Sequence, residues 1–238
     1  MLINLEKLSK KYNLELTGIA HIGAHVGDEV KNYVNLFGEI PIYLFEPQKN
    51  IFNKLKENVK NFHNAKCFNF GLGSENKIVD FYLNTNNDNQ SSSVLKPKDH
   101  LKYHPHVTFS KSEDIEVRRL DDFDLNDVNF VNIDVQGYEL EVLKGAKNTI
   151  KNIKYLFIEV NRKELYEDCV IVGELDKFLK RQGLIRVETE WWNKTGTWGD
   201  AFYVKKSLVK KTNLFYALVK NKLESIKGYF FLKSIIRK

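Results

Sequence analysis

Five short segments rich in β-branched and aromatic residues constrain this chain more than any other feature. They are residues 16–23 (LTGIAHIG), 40–46 (IPIYLFE), 66–71 (KCFNFG), 128–135 (VNFVNIDV) and 155–160 (YLFIEV). Each is apolar along nearly its whole length, which suits a strand buried on both faces rather than one with a wet side. Between them the apolar spacing becomes helical over 27–37, ending at Gly38, over 50–61, and over 137–150. Parallel strands joined by helices must be covered on both faces, so the expected fold class is α/β, an open and doubly wound sheet. Two later strands, near 184–190 and 200–205, are joined by WWNKTGTWG with no helix between them. They are expected to pair antiparallel, giving a mostly parallel sheet with an antiparallel edge hairpin at its C-terminal end.

The segment 74–122 interrupts this alternation. KIVDFYLN and DIEVRRLDDF read as extra strands, and TNNDNQSSS with KPKDHLKYHPH reads as a long loop. Loops of that length inside a compact domain are lids, binding loops or disordered stretches. The expected organisation is a domain over 1–206 with an insertion at about 74–122, followed by a tail over 207–238.

Charge separates the same two parts. Residues 205–238 hold ten Lys or Arg and one acid, Glu224, leaving 27 bases and 30 acids upstream. The net charge of +6 is therefore a property of the tail, which argues against a nucleic-acid groove across the domain. Phe215, Val219, Leu223, Ile226 and Phe230 follow helical spacing among lysines, so the tail reads as a basic amphipathic helix. Such a helix can dock on its own domain, join a second copy, or lie peripherally on a membrane. The first residues, MLINLEKLSKKYNLEL, offer no signal-peptide core, and the expected compartment is the cytoplasm. Cys67 and Cys169 have no metal spacing and are expected as free thiols.

Function is sought first in the turn AHIGAHVGDE. A glycine-marked turn between strand and helix is a place for dinucleotides or for S-adenosylmethionine. The dinucleotide fingerprint needs glycines at 23, 25 and 28; the chain has Gly23, His25 and Asp28. A side chain at 25 obstructs a pyrophosphate, and Asp28 with Glu29 repels it, so a nicotinamide-dependent oxidoreductase is disfavoured. S-adenosylmethionine carries a sulfonium and an ammonium, which tolerate nearby acids. Glu46 ends the second strand in YLFEP, where a carboxylate accepts hydrogen bonds from ribose hydroxyls. Asp134 ends the fourth, in FVNIDVQGYELEVLKGA, at the carboxyl edge where open α/β folds bind ligands.

With these pieces assembled, the chain resembles the FkbM-type methyltransferases, Rossmann-like class I enzymes. The resemblance rests on HIGAHVGDE, YLFEP, FNFGLGSEN, SSS at 91–93, VRRLDDF, VNIDVQGYELEVLKGA, LFIEV and GDAFYVKK, and runs from about 17 to 206. It implies methyl transfer from S-adenosylmethionine to a hydroxyl oxygen of a sugar, glycan or related small molecule. It also implies that Gly23, Ala24, His25 and Gly27 line the methionine part and that Glu46, with Pro47 beside it, holds the ribose. Asn69 to Gly71 would lie near the adenine, and Asp134 near the sulfonium and acceptor. Where many members have an acid two residues before the first glycine, this chain has His21, which leaves the ammonium contact to Glu29, Asp134 or water.

An acceptor hydroxyl needs a base, and Asp134 and Glu159, at the ends of neighbouring strands, are the candidates. Glu139 reads as support for the turn. The acceptor is expected against Gln136, Tyr138, Asn161 and His104. His100, His104 and His106, with Asp99, could form a metal set, but a solvated loop explains them more simply and no metal is expected. Trp191, Trp192 and Trp198 read as hairpin packing, with stacking on a sugar face as the other use. A non-catalytic binding module recruited through its tail is the alternative from another class.

Overall fold

The computed structural model describes residues 1–86, 90–103, 107–192 and 196–224. The central strands are β1 (Ile19–Ile22), β2 (Ile42–Phe45) and β3 (Ala65–Phe68). A small sheet follows, formed by β4 (Gly71–Leu72), β5 (Lys77–Asn84) and β6 (Phe109–Arg118). The main sheet resumes with β7 (Phe130–Ile133), β8 (Tyr155–Asn161), β9 (Leu184–Trp191) and β10 (Trp198–Lys205). Its spatial order is β3-β2-β1-β7-β8-β10-β9. β1 runs parallel to both β2 and β7, and β10 runs antiparallel to β8 and β9. The parallel sheet with an antiparallel hairpin at its edge is thus the one expected from the strand patterns.

Side-chain alternation along these strands sorts the core into two layers. Ile19, Ile42, Leu44, Phe130 and Phe157 pack beneath α1 (Leu5–Tyr12), α2 (Val30–Phe37) and α3 (Lys49–Val59). Ala20, Ile22, Val131, Ile133 and Ile158 pack beneath α5 (Glu139–Lys144), α6 (Thr149–Asn152) and α7 (Val172–Arg181). Neither α1 nor α7 is among the elements expected from the sequence. Both are short helices with a narrow buried stripe, Leu5 and Leu8 in one, Val172, Leu175 and Leu179 in the other.

The helix expected over 137–150 is broken in two. Gly145 lies so close to Gly73 that a Cβ would sit 1.9 Å from its carbonyl oxygen, and the chain turns there. Asp121 then accepts the N–H groups of Asn148 and Thr149 at the start of α6, supplying acceptors that the break removed. The insertion is only in part a loop: β5 and β6 pair antiparallel over eight residue pairs, and Ser93 bridges back to Tyr82. A four-residue helix, α4, covers His100–Tyr103. His104 and His106, and with them that part of the acceptor and metal expectation, lie outside the described residues.

The tail begins with helix α8 (Lys211–Glu224), which packs on β9. Its inward face is Leu214, Ala217, Leu218, Asn221 and Glu224, whereas Phe215 and Val219 of the expected stripe are exposed. The remainder of that stripe, Leu223, Ile226 and Phe230, is outside what is described of side chains. Buried Arg186 holds the helix: it pairs with Asp176 of α7 at 2.9 Å and with Glu224 at 2.7 Å, and its carbonyl accepts from Asn221. No helix among the described residues is long and apolar enough to cross a membrane.

Removing a partner from a buried ion network strands the charges left behind. Arg186→Met is therefore expected to lower stability by about 3 to 5 kcal/mol in urea titration. Protease cleavage within residues 206–224 should speed up in the same variant.

Candidate active site

The carboxyl ends of β1, β2, β7 and β8 open into one cavity of about 780 Å³, within the roughly 300 to 1,000 Å³ of small-molecule sites. The small sheet walls its far side with Phe81 and Ile115, and the hairpin contributes Trp192, Trp198 and Asp200. Insertion and edge hairpin, distant in sequence, thus meet over the turn that follows β1.

That turn is built on Gly23. Its φ is +78°, and a Cβ there would lie 1.8 Å from the carbonyl oxygen of Asp134, so only glycine lets the ends of β1 and β7 come together. The N–H groups of Gly23 and Ala24 both donate to the carbonyl of Phe45. His25 also takes a left-handed conformation, φ 48°, which turns its N–H toward Glu46. The Glu46 carboxyl accepts that N–H at 3.1 Å on one oxygen and the N–H of Gln48 at 2.9 Å on the other. Burial pushes its pKa up to about 7. Glu46 therefore ties the β1 turn to the β2 turn, and its remaining lone pairs are available to hydroxyl donors.

His21 faces the same cavity but is buried, and burial lowers its pKa. Asn132 donates to the Tyr33 hydroxyl at 2.8 Å, which leaves that hydroxyl's own proton for His21 Nδ1 at 3.3 Å. Burial thus disfavours the cationic imidazolium at His21, and the acids that line the same cavity are Asp28, Glu29 and Asp134 among others.

At the other side, Gln136 binds the two carboxylates proposed as bases. Its amide Nε2 donates to Asp134 at 2.7 Å and to Glu159 at 3.0 Å. Tyr166, fully buried, donates within reach of Gln136 Oε1 and of the Ser91 carbonyl, each at 3.0 Å. This contact fixes which end of the amide faces the acids. Ser93 Oγ donates to the Gln136 carbonyl at 2.7 Å, supporting its left-handed backbone, φ 53°. Asp134 opens onto the cavity, yet the surrounding protein still raises its pKa. Burial raises Glu159 well above the carboxylate range, helped by Asp134, Glu139 and Asp200. Glu139 itself accepts the N–H of Gly137 at 2.9 Å and is pushed to about 7 by burial, which suits a support for the turn.

Most residues singled out in the sequence line this cavity: Gly23, Ala24, His25, Glu29, Glu46, Pro47, Gly71, Asp134, Gln136, Tyr138 and Glu159. Three do not. Gly27 is turned toward Leu55 and Val59 of α3, where it allows close packing. Asn69 donates to the carbonyls of Glu46 and Pro47 and so holds the β2 turn from behind. Asn161 is buried beyond Glu159, with no hydrogen-bond partner for its amide among the described residues. Trp192 and Trp198 stack at 5.4 Å on the rim, placing them at the cavity rather than only in hairpin packing. Asp200 and Tyr166 are absent from the sequence expectations. Asp200 faces Glu159 across the β8–β10 register, a pairing visible only once the hairpin is placed. Among the described residues no group of His, Cys, Asp and Glu could hold a metal ion.

Comparison with known proteins gives the same frame. Residues 21–185 match the family model of the methyltransferase FkbM domain. The 2-O-methyltransferase NoeI of Sinorhizobium fredii is 27% identical over 158 residues, 63% of this chain and 65% of NoeI. The structure of methyltransferase FkbM from Methylobacillus flagellatus superposes with a TM-score of 0.55 at 15% identity, covering 79% of this chain and 43% of that one. Sp1610 of Streptococcus pneumoniae, proposed there as a tRNA (m1A22) methyltransferase, gives 0.51 at 11% identity, over 100% and 86% of the two chains. The chain thus spans less than two thirds of NoeI and of the Methylobacillus protein, and the structural likeness speaks for the fold alone.

Glu139 makes the site's burial measurable. Its pKa rises from 4.5 to about 7 on folding, so the folded state holds more protons in that window and loses stability as pH rises through it. Glu139→Gln removes this slope. Its stability relative to the parent should improve by about 1 to 3 kcal/mol between about pH 5 and about pH 7.5 in urea titrations.

Proposed function

Since the chain belongs to the FkbM methyltransferase family, we propose that it transfers a methyl group from S-adenosylmethionine to a hydroxyl oxygen of a sugar, glycan or related small molecule. The observation that carries the reading is Gln136 holding Asp134 and Glu159 together at the cavity floor, beside the Gly23 turn. Transfer to oxygen is also in keeping with the name of the relative NoeI, a 2-O-methyltransferase. The nicotinamide alternative would set a pyrophosphate against Asp28 and Glu29, both of which line the cavity.

The donor set fits the cofactor. Glu46 would accept from the ribose hydroxyls while keeping its two backbone bonds, and Ala24 and His25 would face the methionine part. Gly71 would border the adenine, with Asn69 acting only through the Glu46 turn. Asp28, Glu29 and Asp134 would face the ammonium and sulfonium, where carboxylates lower the energy of a cation. When bound, the cofactor supplies an electrophilic methyl group and a good leaving group.

What the chain adds is position and a proton acceptor. Trp192 and Trp198 present a stacked aromatic rim suited to the apolar face of a sugar ring. Asp134, the more open of the two carboxylates, takes the hydroxyl proton, and Gln136 keeps it aimed into the cavity. A carboxylate whose pKa is raised by the surrounding protein is a stronger base than a freely solvated one, which serves this step. Glu159 lies behind, where burial raises its pKa well above the usual carboxylate value.

Two measurements test this. S-adenosylhomocysteine should bind by calorimetric titration where NAD does not, and Glu46→Ala should abolish that binding. Asp134→Asn should weaken cofactor binding, because Asp134 also faces the cofactor's cation, and at saturating S-adenosylmethionine should still lose roughly 100- to 10,000-fold in methyl transfer across a panel of hydroxylated acceptors. The parent's rate should rise with pH as the base loses its proton, and the variant should lose that limb. Full turnover in Asp134→Asn would remove it as the base.

A further inference from the structure

Helix α8 is apolar on two opposite sides, and among the described residues only one of them is covered. Leu214, Ala217 and Leu218 face the domain, while Phe215 is 73% exposed, Tyr216 72% and Val219 42%. These three lie on one side of the helix, with Lys220 and Lys222 at its edges. Rotation cannot bury them, because Glu224 is committed to Arg186 at 2.7 Å and Asn221 to the Arg186 carbonyl at 2.9 Å. The Arg186 pair also changes the tail's charge balance: Glu224 is the single acid among residues 205–238, and it is withdrawn into the interior. The outward side therefore combines aromatic and aliphatic surface with lysines at its edges. The body upstream, with 27 bases and 30 acids, carries the opposite sign.

We propose that this outward face of α8 binds an anionic lipid surface, with Phe215, Tyr216 and Val219 entering the headgroup boundary and the flanking lysines against lipid phosphates. Charge complementarity selects this occupant. A second copy docked face to face would set lysines against lysines. A nucleic acid would satisfy the lysines but give no return for burying Val219 and Phe215. The inference does not rest on methyl transfer and concerns a different part of the molecule.

The test is co-sedimentation of the full chain with vesicles of phosphatidylcholine alone or mixed with phosphatidylglycerol. Binding should appear only with the anionic lipid and weaken as salt is raised. The double variant Phe215→Ser/Tyr216→Ser changes only exposed side chains, so its thermal melt should match the parent while its vesicle partition falls at least about tenfold. Equal binding to both vesicles, no binding to either, or undiminished binding by the variant would overturn the proposal. So would a concentration-dependent dimer in light scattering that the same substitutions abolish, which would give the face to a second copy. Binding to an RNA homopolymer in preference to the anionic vesicles would overturn it in favour of nucleic acid.

Discussion

The carbonyl oxygen of Asp134 occupies the space that any side chain at residue 23 would need. From this contact follow the close approach of the β1 and β7 turns, the opening of the cavity between them, and the nearness of the proposed base to the Gly23 turn. The two strands run in parallel register, Ile22 beside Ile133, so the turns that follow them begin at the same level and their backbones meet. Glycine at 23 permits that approach. Glu46 then locks the arrangement from β2 by accepting the backbone N–H groups of His25 and Gln48.

The second organising element is a chain of hydrogen bonds that crosses from the insertion to the sheet. Ser93 and Tyr166 hold Gln136 by its carbonyl and by its amide oxygen, and Gln136 holds Asp134 and Glu159. Tyr166 in turn donates to Ser91. Desolvation by the surrounding protein raises the pKa values of all three carboxyl groups, Asp134, Glu139 and Glu159, the last two of them buried. Such a cluster is costly for folding, and shifted carboxyl groups gathered in a cavity mark it as a candidate catalytic site.

The tail shows the same economy of partners. Arg186 lies on the edge strand β9 and would be a buried unpaired charge without Asp176 and Glu224. Drawing Glu224 inward both docks α8 and leaves its other side basic and apolar. One ion network therefore decides stability, helix orientation and the character of the exposed surface together.

Much of the fold was legible in the chain because buried parallel strands must be apolar along their whole length and the helices between them periodic. The segments ending in Gly23, Glu46 and Asp134 marked three of the strand ends that form the site, since a strand's end is a local property of turn chemistry. The break at Gly145 was not legible, because it depends on Gly73 arriving from the other side. Nor were Asp200 opposite Glu159, Tyr166 beneath Gln136, or the face of α8 that docks, since each depends on a contact between segments far apart in sequence. The sequence by itself determined the α/β class, the family frame and the charged tail, all written in local pattern and composition. Only the tertiary structure decided which acids share a cavity and which side of a helix stays bare, because burial and pairing are relations between segments that local pattern does not record.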